Sequence, residues 1–299
     1  AAFAQEMADV HPEKPRATAD PAAPIDGLLA KGDLAGAQRL LPNTADDAMS
    51  HVRRGRFYDA AGKDKRALEE LEGAVAAGGS KIVRAAALTA LGNAKLRQGD
   101  HAGAKAAAEA ALALNWTNND AYRLAAEVAR RDERWQDVIT ILDKHLHQVE
   151  DADLEMRLFE AHKALDHKGW AGEWLDAGAL HAGDDPHAKI RVGLSRPYDR
   201  GLSMAADAYR AALAAGQNDL ELHLLGAETA ARRKDPAGLK AAVDAAAATG
   251  AKDARVWYWQ GRAADARNDS ELADAMYTQA KARDPHFDPV ALAYLKSRR

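Results

Sequence analysis

Small residues return along this chain at a nearly constant interval, and that recurrence constrains the fold more than any other feature. Gly55, Gly92, Ala126, a position near 160, Gly193, Gly226 and Gly261 are separated by steps of 37, 34, about 34, about 33, 33 and 35. Seven residues after the clearest of them comes a glycine or asparagine: Gly62, Gly99 and Asn268. A second small residue follows, as Ala67, Ala104 and Ala273, then a large one and another alanine: Leu71 and Ala74, or Tyr277 and Ala280. Spacings of four and three put these three residues on one face of a helix. Each period therefore encodes a helix, a turn and a second helix. Glycine inside a helix costs about 1 kcal/mol relative to alanine. Its return at a fixed period predicts close crossing of the two helices, where a side chain would not fit. Gly62, Gly99 and Asn268 suit the left-handed residue that ends a helix. Asp100, Asp235 and Ser270 then read as N-caps of the second helices.

The pattern resembles the tetratricopeptide repeat family, whose period is 34 residues. Trp257, Gly261, Ala273, Tyr277, Ala280 and Pro285 follow its order of tryptophan, glycine, alanine, large residue, alanine and proline. The resemblance runs over residues 25–287. It implies an all-α, right-handed α-solenoid of about seven helix-turn-helix repeats. Val290 to Leu295, within 288–299, reads as a last helix that caps the exposed apolar end, as solenoids require. The first copy is partial, with only its second helix, near Asp33–Leu41, clear. Near 153–200 the regularity is expected to break. Gly172 stands in the alanine slot there beside Trp170 and Trp174, and Pro197 falls late in a first helix, which it should end. Residues 1–24 hold Pro12, Pro15, Pro21 and Pro24 and are expected to form an extended leader.

A chain of 299 residues is at the size where one compact core stops growing, and an elongated coil escapes that limit. Its 41 basic and 45 acidic residues nearly cancel, which offers nothing to nucleic acid. The absence of cysteine excludes disulfides, thiol catalysis and cysteine-bound zinc. No apolar run reaches the roughly 18 residues of a membrane span. Ala2-Phe3-Ala4 has the form of a signal-peptidase site, so a periplasmic location with the export signal removed is expected.

No catalytic pattern stands out. Gly193-Leu194-Ser195-Arg196-Pro197 lacks the second glycine of a nucleophile elbow. Gly78-Gly79-Ser80-Lys81 reads as a turn between repeats rather than a phosphate loop. Asp46-Asp47 and Asp184-Asp185 sit where helices begin, as caps. His145 and His147 are two apart and point to different faces. His181 and His187 flank a turn and are expected in a solvated loop. No enzyme activity, cofactor or metal is expected.

The first helices of a stacked solenoid line its concave surface, the usual binding face. Early in the chain that face carries Arg53, Arg56, Asn93, Arg97, Arg123, Glu127, Arg130 and Arg131. Guanidinium forks suit carboxylates, so the leading expectation is a non-catalytic scaffold that docks a protein or peptide partner. The peptide mode implied by the resemblance grips a terminal carboxylate with lysine and asparagine. Asn93 fills one such slot, but Thr89 and Leu124 stand in others, so that mode is not carried over. Later residues suggest an alternative. Trp170, Trp174, Leu224, Tyr258 and Trp259 are candidates for an apolar hollow, as in a carrier of a lipid- or sterol-like molecule between inner and outer membranes.

Overall fold

The computed structural model of the chain describes residues 24–41, 46–146, 149–196 and 198–298. The expectations for the leader up to residue 23, for Pro197 and for His147 concern positions outside the described residues.

Every period folds as an antiparallel helix pair, and the described residues contain no strand. A short leading pair, α1 (Pro24–Ala30) and α2 (Leu34–Leu40), comes first, so the first copy has both its helices and Pro24 opens α1 rather than closing a leader. Seven full pairs follow: α3 (Ala48–Ala60) with α4 (Asp64–Ala77), α5 (Lys81–Arg97) with α6 (His101–Leu114), and α7 (Asn119–Arg131) with α8 (Trp135–Leu146). Next are α9 (Ala152–Ala164) with α10 (Lys168–His181), and α11 (Pro186–Ser195) with α12 (Tyr198–Ala214). Then come α13 (Leu220–Arg232) with α14 (Pro236–Ala248), and α15 (Ala254–Asp265) with α16 (Ser270–Arg283). A last helix, α17 (Pro289–Ser297), buries Ala291 and Leu295 against α15 and α16 together with Phe287.

Local chemistry explains the boundaries. Asp47, Ser80, Asn118, Asp151, Asp185, Asp219, Asp253 and Asp288 each accept a first-turn amide at the start of a first helix or of α17, satisfying a donor the helix leaves free. Between helices of a pair, Gly62, Gly99 and Asn268 take the left-handed conformation, with φ of 67°, 82° and 61°. Asp100 and Asp235 cap α6 and α14. The cap of α16 is Asp269, and Ser270 is its first helical residue. The break in regularity falls at one junction: α11 stops after ten residues and α12 begins at Tyr198 without a left-handed turn residue among those described.

The small-residue slots are sharper in space than in sequence. On the first helices they are Gly55, Gly92, Ala126, Phe159, Gly193, Ala227 and Gly261, all buried. On the second helices they are Ala67, Ala104, Val138, Ala171, Ala205, Leu239 and Ala273, also buried. Both series step by 37, 34, 33, 34, 34 and 34. Two positions assigned from the sequence are therefore off by one. Ala227, not Gly226, packs in the slot, and Gly226 faces the ring of Tyr209 instead. Ala171, not Gly172, holds the slot on α10; a Cβ on Gly172 would meet nothing within 4 Å. Where glycine does fill a slot the reason is direct. A Cβ at Gly55 would lie 2.4 Å from Leu71, and one at Gly261 2.4 Å from Tyr277. The large side chain of the partner helix occupies the space that glycine vacates.

The coil meets itself after one turn. Asn218 N–H donates to Lys31 C=O at 2.8 Å. A Cβ on Gly62 would lie 2.2 Å from Gly250 C=O, and one on Gly99 2.9 Å from Arg283 C=O. The turns inside the first three pairs thus abut the loops after α12, α14 and α16. Charged groups stitch this seam. Arg283 pairs with Asp64 at 2.8 Å and donates to Arg97 C=O, while Asp284 accepts from Arg131 at 3.0 Å and lies 3.2 Å from His101. Among the described residues no apolar cluster joins the stretch before residue 132 to the stretch after residue 211.

Candidate functional site

The first helices face inward around a channel of about 1390 Å³, larger than the ~300–1,000 Å³ of ordinary small-molecule pockets. Its wall is made by α1, α3, α5, α7, α9, α11, α13, α15 and α17, with Trp135 of α8 the one contribution from a second helix among the described residues.

The repeat period organises the wall's charges. Residues two after the caps, Asp153, His187, Glu221 and Arg255, recur every 34 positions and so stand side by side on adjacent first helices. Arg157 and Arg191 lie one helical turn deeper on α9 and α11. They interlock in a chain of alternating sign. Glu127 meets Arg157 at 2.8 Å, Arg157 meets Asp153 at 3.1 Å, and Asp153 meets Arg191 at 3.4 Å. Arg191 meets Glu221 at 2.5 Å, Glu221 meets Arg255 at 2.8 Å, and Arg255 closes on Asp253 at 2.9 Å. This lattice crosses five first helices. Glu127 is its hub, accepting also from Arg130 and Arg131, each at 2.9 Å. Burial alone would raise its pKa, but Arg130 and Arg131 outweigh that and hold it well below the usual carboxylate value. At half-buried Glu221 desolvation also pushes the pKa up, yet Arg255 and Arg191 draw it down to about 2. Glu228 goes the other way: burial raises it, against the pull of Arg232.

The early candidate residues all lie on or against this wall, and most are committed within the chain. Arg53 pairs with Asp26 at 3.0 Å, and Arg56 reaches the same carboxylate at 3.4 Å. Asn93 donates to Thr89 C=O, and Arg97 pairs with Asp59 at 3.3 Å. Arg123 bonds Asp151, Asp153 and Asp120, and Arg130 spans from Glu127 to Asp288, the cap of α17. The late set does not come together. Leu224, Tyr258 and Trp259 line the channel; Trp170 and Trp174 do not. Trp170 is 59% exposed on α10, stacked on His162. Trp174 packs into the core between α8, α9 and α10. His181 and His187 are engaged apart from each other, with Glu155 at 2.7 Å and Asp219 at 2.9 Å. Among the described residues no three histidines or acids are grouped as a metal would need.

Sequence reasoning missed Asp153, Arg157, Arg191, Glu221 and Arg255 as a set. The signal was present: aspartate at 151, 185, 219 and 253, each followed at fixed offsets by charged residues.

Arg262 differs from the rest of the wall. Its Nη1 donates to Tyr258 Oη at 2.9 Å, and its guanidinium lies 3.9 Å from the Tyr294 ring centroid and 5.6 Å from that of Trp259. The nearby carboxylates are taken: Asp265 accepts from Tyr277, Tyr294 and Arg298, and Asp288 pairs with Arg130. Arg262 thus presents a cation held by rings with fork donors left over.

Comparison with known proteins bears on the fold. The tetratricopeptide repeat family model matches residues 254–287, which span α15 and α16. A subunit in the crystal structure of the APC/C hetero-tetramer Cut9–Hcn1 superposes with a TM-score of 0.55 at 12% identity, over 99% of this chain and 58% of that one. A tetratricopeptide repeat protein from Parabacteroides merdae gives 0.45 at 15% identity, over 79% of this chain and 93% of that one. No curated protein matches the sequence.

Proposed function

We propose that this chain, a tetratricopeptide-repeat protein, is a non-catalytic binding protein that holds a segment of a protein partner in its channel. One observation carries the reading. Among the described residues, nine of the ten arginines on the channel wall have a carboxylate partner within the chain. Arg262, fixed by aromatic rings, has none. A preorganised guanidinium without an acid is suited to a carboxylate brought by the partner. The other paired charges favour a polar occupant over a lipid, because an apolar molecule would cover them without replacing water. The separation of Trp170 and Trp174 from Trp259 removes the motive for an apolar hollow.

The test is titration with a glutamate-rich peptide and a neutral peptide of equal length, read by tryptophan fluorescence, since Trp259 lies beside Arg262. The acidic peptide should bind, and Arg262→Gln should weaken it by roughly 1.5–3 kcal/mol, or ten- to a hundredfold, with helicity unchanged. Equal binding of both peptides, or binding indifferent to Arg262→Gln, defeats the reading. Export to the periplasm, on the strength of Ala2-Phe3-Ala4, belongs to the same proposal and is checked by cell fractionation.

A further inference from the structure

The seam where the coil meets itself has a different chemistry from every other interface in the molecule. Neighbouring helix pairs are joined by apolar clusters, such as Val52, Leu71, Ala74 and Leu91 between the α3–α4 pair and α5. Across the seam lie backbone approaches, ion pairs, a bond from Arg283 to Arg97 C=O and one ring contact, His101 against His286, with no apolar cluster among the described residues. Apolar contacts must be separated against the hydrophobic effect. Hydrogen bonds and ion pairs exchange with water when they part, so their net contribution is modest. The seam is therefore the interface that yields first.

It is also the side wall of the channel. While the seam is shut, Arg130 reaches Asp288 and Arg131 reaches Asp284 across it, and Arg97, Arg130, Arg131 and Asp288 at the seam line the channel. A folded domain, with a radius of gyration of about 13 Å for 100 residues, does not enter a space of 1390 Å³. We infer that the seam is a reversible gate: it parts between the turns of the first three pairs and the loops after α12, α14 and α16 to admit an extended polypeptide segment from the side, and then closes over it. The gate gives the channel reading a partner geometry and rests on that reading for its purpose. Its opening is measurable without any partner, so the two ideas fail separately.

The chain has no cysteine, which leaves a clean background for labels. Lys65 and Ala282 are exposed and lie beside Asp64 and Arg283, the ion pair at 2.8 Å across the seam. Spin labels on Lys65→Cys and Ala282→Cys report the separation by pulsed electron resonance. At low salt one short distance is expected. Raising salt to 1 M shrinks the screening length from about 10 Å, its value at 0.1 M, to about 3 Å. A second population should then appear, longer by roughly one helix spacing, about 10 Å. Circular dichroism at 222 nm should not change. Asp284→Asn, which removes the charge that His101 and Arg131 share, should populate the same long distance at low salt. A single short distance at every salt concentration in the labelled parent overturns the gate. So does a long distance that appears only together with loss of helicity.

Discussion

Glycine acts in opposite ways at two helical positions. At Gly261 an added Cβ would enter the ring of Tyr277, a 5% exposed side chain. Gly261→Ala should therefore destabilise the fold by about 1–3 kcal/mol. At Gly172 nothing stands within 4 Å, and Gly172→Ala should stabilise it by about 0.5–1 kcal/mol. Urea denaturation of the two variants checks both signs. Loss of stability in Gly172→Ala would return Gly172 to the packed slot in which its sequence context placed it. The sequence showed that small residues must recur, and Gly55, Gly92 and Gly261 were legible because glycine is costly in a helix. It did not separate Ala171 from Gly172, since two adjacent small residues satisfy the same pattern. The ion-pair partners were illegible for a different reason. Glu127 draws Arg130 and Arg131 from its own helix and Arg157 from the next repeat, and only the crossing of helices decides the second kind. Glu127→Gln leaves those guanidinium groups short of an acid in a buried site, and a loss of about 3–5 kcal/mol is expected in the same assay.

Caps do two jobs in this fold, depending on which helix they begin. Asp269 starts α16 at the surface and accepts one amide, from Leu272. Asp253 starts α15, is almost fully buried, and also holds Arg255 at 2.9 Å. Asp269→Ala should cost about 1 kcal/mol, the ordinary value of a cap. Asp253→Ala should cost several times more, because Arg255 is left with Glu221 alone. Equal losses would show that the lattice adds nothing to the cap. His187, two residues into α11, adds a dependence on pH. Burial would lower its pKa, but bonds to Asp185 and Asp219 raise it to about 10. A histidine raised in the folded state stabilises fully below its unfolded pKa of about 6.5, and that contribution fades as pH climbs through the folded value. Stability should therefore fall between about pH 6.5 and 10, and His187→Gln should flatten that slope in melting experiments. Helix identity, the turn residues Gly62, Gly99 and Asn268, and the caps Asp47, Asp100, Asp185 and Asp235 were legible in the sequence, whereas the other caps were not. The form of the α11–α12 junction, which has no left-handed residue among those described, depends on how α12 packs.

At the scale of the whole molecule, the solenoid follows from the period alone, because each pair buries its apolar face only against the next. The return of the coil onto itself does not, since it depends on the small rotation between pairs accumulating until residue 32 reaches residue 218. This contact has an evolutionary and engineering corollary. In most stacked repeats a unit can be added or removed freely, as every junction is like its neighbour. Here each early turn has one assigned counterpart a full winding later. Deleting the stretch from Asp185 to Asn218 would leave all surviving pairwise junctions intact and still misalign every contact between windings. The number of repeats in one winding is thus tied to these contacts, in the way the circumference of a barrel sets its stave count.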